Sequence, residues 1–325
     1  MDVFSQFLEL LRLRGQLFGQ LEFTAPWGFT FPGGKGTCIV VNRGSCFLSV
    51  NEEHKSLVPL VGGDFVFLPA PRSYSLRNRP ETPLRSVLEI ATPEAFWQSR
   101  LIRHDGGGTP TSLIAGCFTF ATAAGDWLRN DLPPIMHVRA SDLHATPAFQ
   151  SALQLIAAET AHDQPGSTAI VDRLAEVLFV QAMRLRIHSP STQGKPSWFQ
   201  ALADPRLGAA LRLMHTEPSR PWTVPELARR VSMSRSAFAA RFRKLVGETP
   251  LDHLTRWRMV YAAGLMADQP ALKLAAIAST VGYETESAFG KVFRRVMGSS
   301  PAAYRKSLSH EEAADIYQEE AKDED

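Results

Sequence analysis

Disulfide chemistry has almost nothing to work with in this chain: 325 residues hold three cysteines, Cys38, Cys46 and Cys117. That excludes the cysteine framework of a small secreted domain and fits a reducing compartment. No apolar run approaches the roughly 20 residues that a membrane-crossing helix needs. The opening MDVFSQFLELLRLRG lacks the basic start and small-residue cleavage site of an export signal, so a cytoplasmic protein is expected. Clustered metal ligands are missing as well: the nine histidines are scattered, and His137 and His144 read as solvated or hydrogen-bonded residues. Even net charge is nearly absent, at +2 overall. That total conceals an uneven distribution. Residues 205–308 carry 17 Lys and Arg against 7 Asp and Glu, residues 309–325 carry 8 acids against one Lys, and the first 204 residues nearly balance. A basic module of this kind is the electrostatic footprint of a surface that binds a polyanion.

With 44% hydrophobic residues the chain can bury two cores. Residues 3–18 read as an amphipathic helix, apolar at Val3, Phe7, Leu10, Leu11 and Phe18. From about 20 to 120 the pattern shortens to β-rich runs such as Cys38–Val41, Cys46–Val50, Phe65–Leu68 and Val87–Ile90, with a hairpin turn at Asn42-Arg43-Gly44-Ser45. Strands at this spacing predict a small barrel or jelly roll. Two long helices follow, Ala148–His162 and Thr168–His188. The stripe Ile170, Leu174, Val177, Leu178, Gln181, Leu185 on the second suits packing on the barrel and a dimer interface equally well. Ser189–Ser197 is linker-like in composition. The expected fold is α+β: a β-barrel (jelly roll) with accessory helices over 1–188, a linker over 189–204, an all-α module over 205–308, and an acidic tail over 309–325.

The all-α module contains one pattern twice. Leu227-Ala228-x-x-Val231-Ser232, Ser236-Ala237-Phe238-x-x-x-Phe242-Arg243-Lys244 and Gly247-x-x-Pro250 return as Ile277-Ala278-x-x-Val281-Gly282, Ser287-Ala288-Phe289-x-x-x-Phe293-Arg294-Arg295 and Gly298-x-x-Pro301. Thr223-x-x-Glu226 has the form of a capping box, Pro225 is harmless in the first turn, and Ser234 can cap the next helix. At 100° per residue, Phe238, Phe242 and Leu245 share one face. Ser236, Ala239, Ala240 and Arg243 lie opposite, with Arg235, Arg241 and Lys244 on the flanks. The second copy places Phe289, Phe293 and Val296 inward and Ser287, Gly290, Lys291 and Arg294 outward. Small residues in front let a helix seat deep in a major groove, and flanking cations reach phosphates. One copy alone would pass for an ordinary helix with a solvated basic face. Two copies with the same turn, aromatic spacing and Gly-x-x-Pro end predict two helix-turn-helix units that bind double-stranded DNA. Leu251–Ala267, with Leu254, Trp257, Arg258, Tyr261, Leu265 and Met266, forms a linker helix that would hold the units one helical turn of DNA apart; Trp257 and Tyr261 read as its core residues.

Residues 205–306, through Ile277-Ala278-x-x-Val281-Gly282-Tyr283 and Pro301-x-x-Tyr304-Arg305, resemble the DNA-binding domain of the AraC/XylS transcription regulators. The resemblance implies base-edge positions at Ser236, Ala239 and Ala240 in the first recognition helix, and at Glu286, Ser287, Gly290 and Lys291 in the second. Ala240 stands where the family often has Arg, which removes a potential guanine contact, so Lys291 is the leading base-reading side chain. The stretch Gly63-x5-Pro69 through Asn78 is similar to the second cupin motif, with Pro71 in place of its Gly and Tyr74 in place of its metal-binding His. The other motif's His pair is absent. A cupin-like domain without metal, cofactor or catalytic residues is expected, used for sensing or assembly. With Ala25-Pro26-Trp27-Gly28, it resembles the cupin-type domain of one AraC subgroup. That subgroup often has a cysteine where this chain has Ala115; Cys117 lies two residues on, and is offered for redox sensing or as a small core residue. A Cys38–Cys46 disulfide is disfavoured, because a hairpin pairing Val41 with Cys46 turns Cys38 toward Ser49. Trp27, Phe67, Tyr74 and Cys117 are the candidate effector-binding residues, with Trp127 weighed beside them.

The leading expectation is a bacterial transcription regulator that binds promoter DNA, works with RNA polymerase, and answers a small-molecule or redox effector, acting as a homodimer if the helical stripe is an interface. The alternatives are a metal-dependent cupin enzyme fused to a DNA-binding domain, and a module whose basic face binds another partner.

Overall fold

A computed structural model describes residues 2–51, 57–92, 100–119, 122–143, 147–161, 164–188 and 196–308. The acidic tail 309–325, His144 and residues 189–195 of the proposed linker lie outside the described residues; the rest of that linker, 196–204, contains the short buried helix Trp198–Ala201. The strands are β1 (Arg14–Thr24), β2 (Gly28–Pro32), β3 (Gly36–Arg43), β4 (Ser45–Val50), β5 (Val58–Val61), β6 (Phe65–Leu68), β7 (Ser73–Arg77), β8 (Arg85–Ser86), β9 (Leu101–His104), β10 (Pro110–Thr119) and β11 (Met136–Val138). The helices are α1 (Val3–Leu11), α2 (Ala123–Asp131), α3 (Ala140–Leu143), α4 (Pro147–Ala161), α5 (Ser167–His188), α6 (Trp198–Ala201), α7 (Pro205–Thr216), α8 (Val224–Arg230), α9 (Arg235–Val246), α10 (Pro250–Asp268), α11 (Leu274–Thr280) and α12 (Glu286–Met297). Among the described residues they gather into two compact units, one within 13–119 and 128–188, the other within 2–12, 122–127 and 196–308.

The first unit holds two sheets, ordered β11-β6-β3-β10-β1-β9 and β5-β4-β7-β2-β8. Their inner faces share one core that includes Phe23, Trp27, Phe29, Val41, Leu48 and Leu113. Among the described residues the sheets stay distinct, giving a jelly-roll sandwich in place of a single closed barrel. Asn78 ties β2 to β7 by accepting from the Trp27 N–H at 2.9 Å and donating its own N–H to the Trp27 carbonyl at 3.0 Å. The outer face of the six-stranded sheet is covered by α4 and α5. Phe65 meets Phe149 at 5.2 Å, and Phe67 and Phe118 meet Phe179 at 5.4 and 5.7 Å.

Three local expectations change. The turn at Gly44 does not close a β3–β4 hairpin: β3 pairs with β6 and β10, and β4 pairs with β5 and β7. Gly44, at φ +84°, carries the chain from one sheet to the other where a Cβ would lie 2.8 Å from the Pro110 carbonyl. The helix expected over 3–18 ends at Leu11, where Arg12 turns left-handed at φ 44°, and β1 pairs along β10 from Arg14 onward. Val87–Glu89 is a short 3-10 turn in place of a strand, because the Ser86 side chain and Glu89 cap each other's backbone N–H groups.

In the second unit α1 starts at Asp2, whose carboxylate accepts from the Ser5 N–H at 3.0 Å. Its Phe7 is fully buried and packs edge-on to Trp127, Trp198 and Phe199. Leu10 lies against Gly264 of α10 so closely that a Cβ there would be 2.4 Å from it, and Arg12 pairs with Asp268.

Candidate nucleic-acid interface

Helices α8 and α9 form one helix-turn-helix unit, and α11 and α12 the other. Thr223 caps α8, Ser234 caps α9 and Thr285 caps α12, each side-chain oxygen accepting an N–H three residues on. The capping box at Thr223 is only half closed: Glu226 pairs with Arg220 at 2.6 Å. The two turns are geometrically alike, with Met233 N–H donating to the Ala228 carbonyl and Tyr283 N–H to that of Ala278, both at 2.9 Å. Gly247 and Gly298 end α9 and α12 at φ +90° and +81°, a conformation that costs glycine little.

Phe238, Phe242, Phe289 and Phe293 are completely buried. The third inward position of α9 is Val246, buried, while Leu245 and its counterpart Val296 are half-buried. The outward face holds every proposed contact. Arg235, Ser236, Ala240, Arg243, Lys244, Glu286, Ser287, Lys291, Arg294 and Arg295 are exposed, and Ala239 and Gly290 are half-buried.

The unit's arginines divide by partner. Arg241 donates through Nε to Asp204 at 2.8 Å, and Arg256 pairs with Glu248 at 3.0 Å; these cations hold the fold. Among the described residues, Arg243, Lys244, Lys291, Arg294 and Arg295 enter no ion pair. Gly290 adds an independent sign: a Cβ built there meets nothing within 4 Å. Glycine inside a helix costs about 0.5–1 kcal/mol relative to alanine, and no internal packing requires it here.

Beneath the first recognition helix lies a buried pair that the sequence did not announce. His215 Nε2 and His253 Nε2 are 2.9 Å apart, and His253 Nδ1 is 3.0 Å from Glu248 Oε1. A carboxylate needs a donor, so His253 carries its proton on Nδ1 and accepts on Nε2 from His215. Burial holds both imidazoles below their ordinary range, and for His253 the neighbouring Glu248 partly offsets it. Trp257 stacks on His215 at 3.8 Å, and Phe242 of α9 meets His253 at 5.7 Å. Trp127, weighed as an effector contact, belongs to this cluster, 5.2 Å from His253.

In the first unit, Tyr74 and Cys117 line one cavity of about 260 Å³ together with Leu21, Phe31, Ile102 and Ala115, with Lys35 and Thr37 also on its wall. Phe31 and Tyr74 stack at 4.9 Å. The structure does not bring the other two candidates there: Trp27 is buried in the core between the sheets, and Phe67 faces α5. Burial pushes all three thiols up, Cys46 to about 12, which keeps them protonated and weakly nucleophilic. His137 is held by Asp64 at 2.9 Å. Among the described residues no three His, Cys, Asp or Glu side chains converge as metal ligands.

A duplicated helix-turn-helix module with a cationic outer face, accompanied by a two-sheet cupin domain, defines a DNA-binding regulator. Comparison with known proteins agrees. Residues 2–188 match the cupin family and residues 227–307 match a helix-turn-helix domain family. The chain is 38% identical over 308 residues to a Streptomyces lividans protein described as an AraC-like transcription regulator, covering 94% of this chain and 98% of the relative. It is 33% identical over 251 residues to the transcriptional regulator AlkR of Acinetobacter baylyi, covering 75% and 79%. The chain belongs to the AraC/XylS family of transcription regulators, with a cupin-type N-terminal domain.

Proposed function

We propose that the regulator reads promoter DNA with Ser236, Ala239 and Ala240 of α9 and with Glu286, Ser287, Gly290 and Lys291 of α12. Arg235, Arg243, Lys244, Arg294 and Arg295 fix register on the phosphates. The observation that carries this reading is Gly290, a glycine in mid-helix, on the outward face, with no internal neighbour to excuse it. Gly290→Ala is therefore expected to raise thermal stability while weakening binding to the specific site by about 1–3 kcal/mol, the scale of one base-edge contact. A more stable variant with undiminished specific affinity would remove α12 from the groove.

The same reading assigns the cavity at Tyr74 and Cys117 to a small, mostly apolar effector. The apolar lining and the raised thiols support a bound molecule over oxidation of a cysteine. Ala115→Phe, which narrows the cavity, is expected to leave DNA binding intact and to abolish the response in a reporter strain; an unaltered response would exclude the cavity. RNA polymerase is the further partner through which promoter binding acts. Ile170 and Val177, exposed one heptad apart on α5, support a homodimer.

A further inference from the structure

The linker helix alone does not define how the second helix-turn-helix unit is held. Arg258, near the middle of α10 and half-buried, reaches out of that helix in two directions. Its Nε donates to the Pro218 carbonyl at 2.6 Å and its Nη2 to the Arg220 carbonyl at 2.9 Å. Both carbonyls belong to the loop entering the first unit. That loop is itself stiffened: the Arg220 guanidinium donates to Glu217 at 3.0 Å and to Glu226 of α8 at 2.6 Å, and lies 4.2 Å over the ring of Trp222. On its other side the Arg258 guanidinium sits 5.7 Å from the ring of Tyr283, in the turn of the second unit.

The loop and that turn also touch directly. A Cβ on Gly282 would lie 2.5 Å from the Ser219 carbonyl and 3.0 Å from Arg258 Nη2. The two turns differ at this point. Ser232 occupies the left-handed position of the first turn at φ +53° and is exposed, whereas the second turn has Gly282 at φ +81°. The first turn has room for a side chain. The second is pressed against the loop and does not. A continuous path therefore runs from α8 through Glu226 and Arg220 to Arg258, and on to the turn that launches α12.

We propose that Arg258 is the positioning residue that locks the two recognition helices at one separation, and thereby sets the distance between sub-sites that the regulator accepts on DNA. The proposal rests on both helices engaging one duplex together. Two separate N–H donors, each aimed at its own carbonyl, suit arginine's rigid fork better than the single nitrogen of lysine on its flexible stem. Removing the fork frees the second unit to pivot, while each recognition surface, remote from Arg258, stays as it was.

The test uses the full-length protein and a two-sub-site duplex that the wild type itself selects from a randomised pool. The spacer is varied by one or two base pairs either way, and a control duplex has one sub-site scrambled. Arg258→Met is expected to bind the control like the wild type, to lose about tenfold on the optimal spacer, and to show a flattened spacing profile, because rigid linkage is what makes two weak contacts cooperate. Arg258→Lys should fall between the two. Should Arg258→Met not fold, Gly282→Ala disturbs the same joint from the opposite side and is expected to flatten the profile likewise. A sharp optimum kept by Arg258→Met, or by Gly282→Ala where Arg258→Met does not fold, overturns the assignment, and so does a loss by Arg258→Met that is equal on the control duplex. A wild type with no optimum at all overturns simultaneous engagement along with it.

Discussion

Lowering the pH from 7.5 to 5.5 is expected to cost the C-terminal unit stability, up to about 1.4 kcal/mol for each of two buried histidines. The cause is the His215–His253 pair. Both rings are fully buried and held neutral below the usual 6.5, His215 the more strongly. Above pH 6.5 the folded and unfolded chains bind the same number of protons there, and stability is flat. As the pH falls below 6.5 the unfolded chain takes up protons that the folded chain refuses, so stability drops by about 1.4 kcal/mol per pH unit for each histidine that stays neutral. His215, held the lower of the two, contributes more than His253, which Glu248 draws back up. Asp2 and Asp204, whose carboxyls are held low by hydrogen bonds and, at Asp204, by Arg241, titrate below this window. Denaturant unfolding at several pH values checks this, and a stability that does not change across the window would remove the buried pair from the account. Because Phe242 of α9 and Glu248, just beyond its end, contact the pair, specific DNA affinity is expected to decline over the same interval.

Much of the DNA-binding module was legible because its signals are local. A capping Ser or Thr, two phenylalanines four residues apart, and a terminal glycine act within one or two turns, and the structure uses Thr223, Ser234, Phe238, Phe242 and Gly247 as their spacing implied. The sheets were harder. Cys38–Val41 and Cys46–Val50 were recognisable as strands, but which strand pairs with which is decided by residues far away in sequence. β3 finds β10 about 70 to 80 positions on, so the two strands flanking Gly44 do not pair as a hairpin. Residues 3–18 carried a helical pattern that long-range pairing of β1 with β10 overrode after Leu11.

The remaining gaps have the same origin. Glu226 looked like a capping partner and went to Arg220, a choice that only the folded loop presents. His215 and His253 stand 38 residues apart and bear no common motif. Of the aromatics proposed for an effector pocket, Tyr74 lines a cavity with Cys117, whereas Trp27 and Phe67 serve two different cores. The division of arginines into paired and unpaired sets was invisible in a count of charge. It separates the cations that build the module from those it offers outward.

That outward offer is the central claim: two recognition helices enter successive major grooves on one face of the duplex, about 34 Å apart. Joining two contacts through a rigid scaffold can raise affinity by about 10²- to 10⁴-fold over either alone, and the gain vanishes when geometry prevents both from engaging. Adding five base pairs between the sub-sites puts the second groove on the far side of the duplex. The most direct measurement is hydroxyl-radical footprinting and affinity of the full-length protein on the selected duplex, with and without that insertion. The account predicts two protected segments one helical turn apart on the parent duplex, and an affinity at least about 100-fold lower after the insertion, with one segment left. A single protected segment on the parent, or an affinity indifferent to the half-turn, would contradict it.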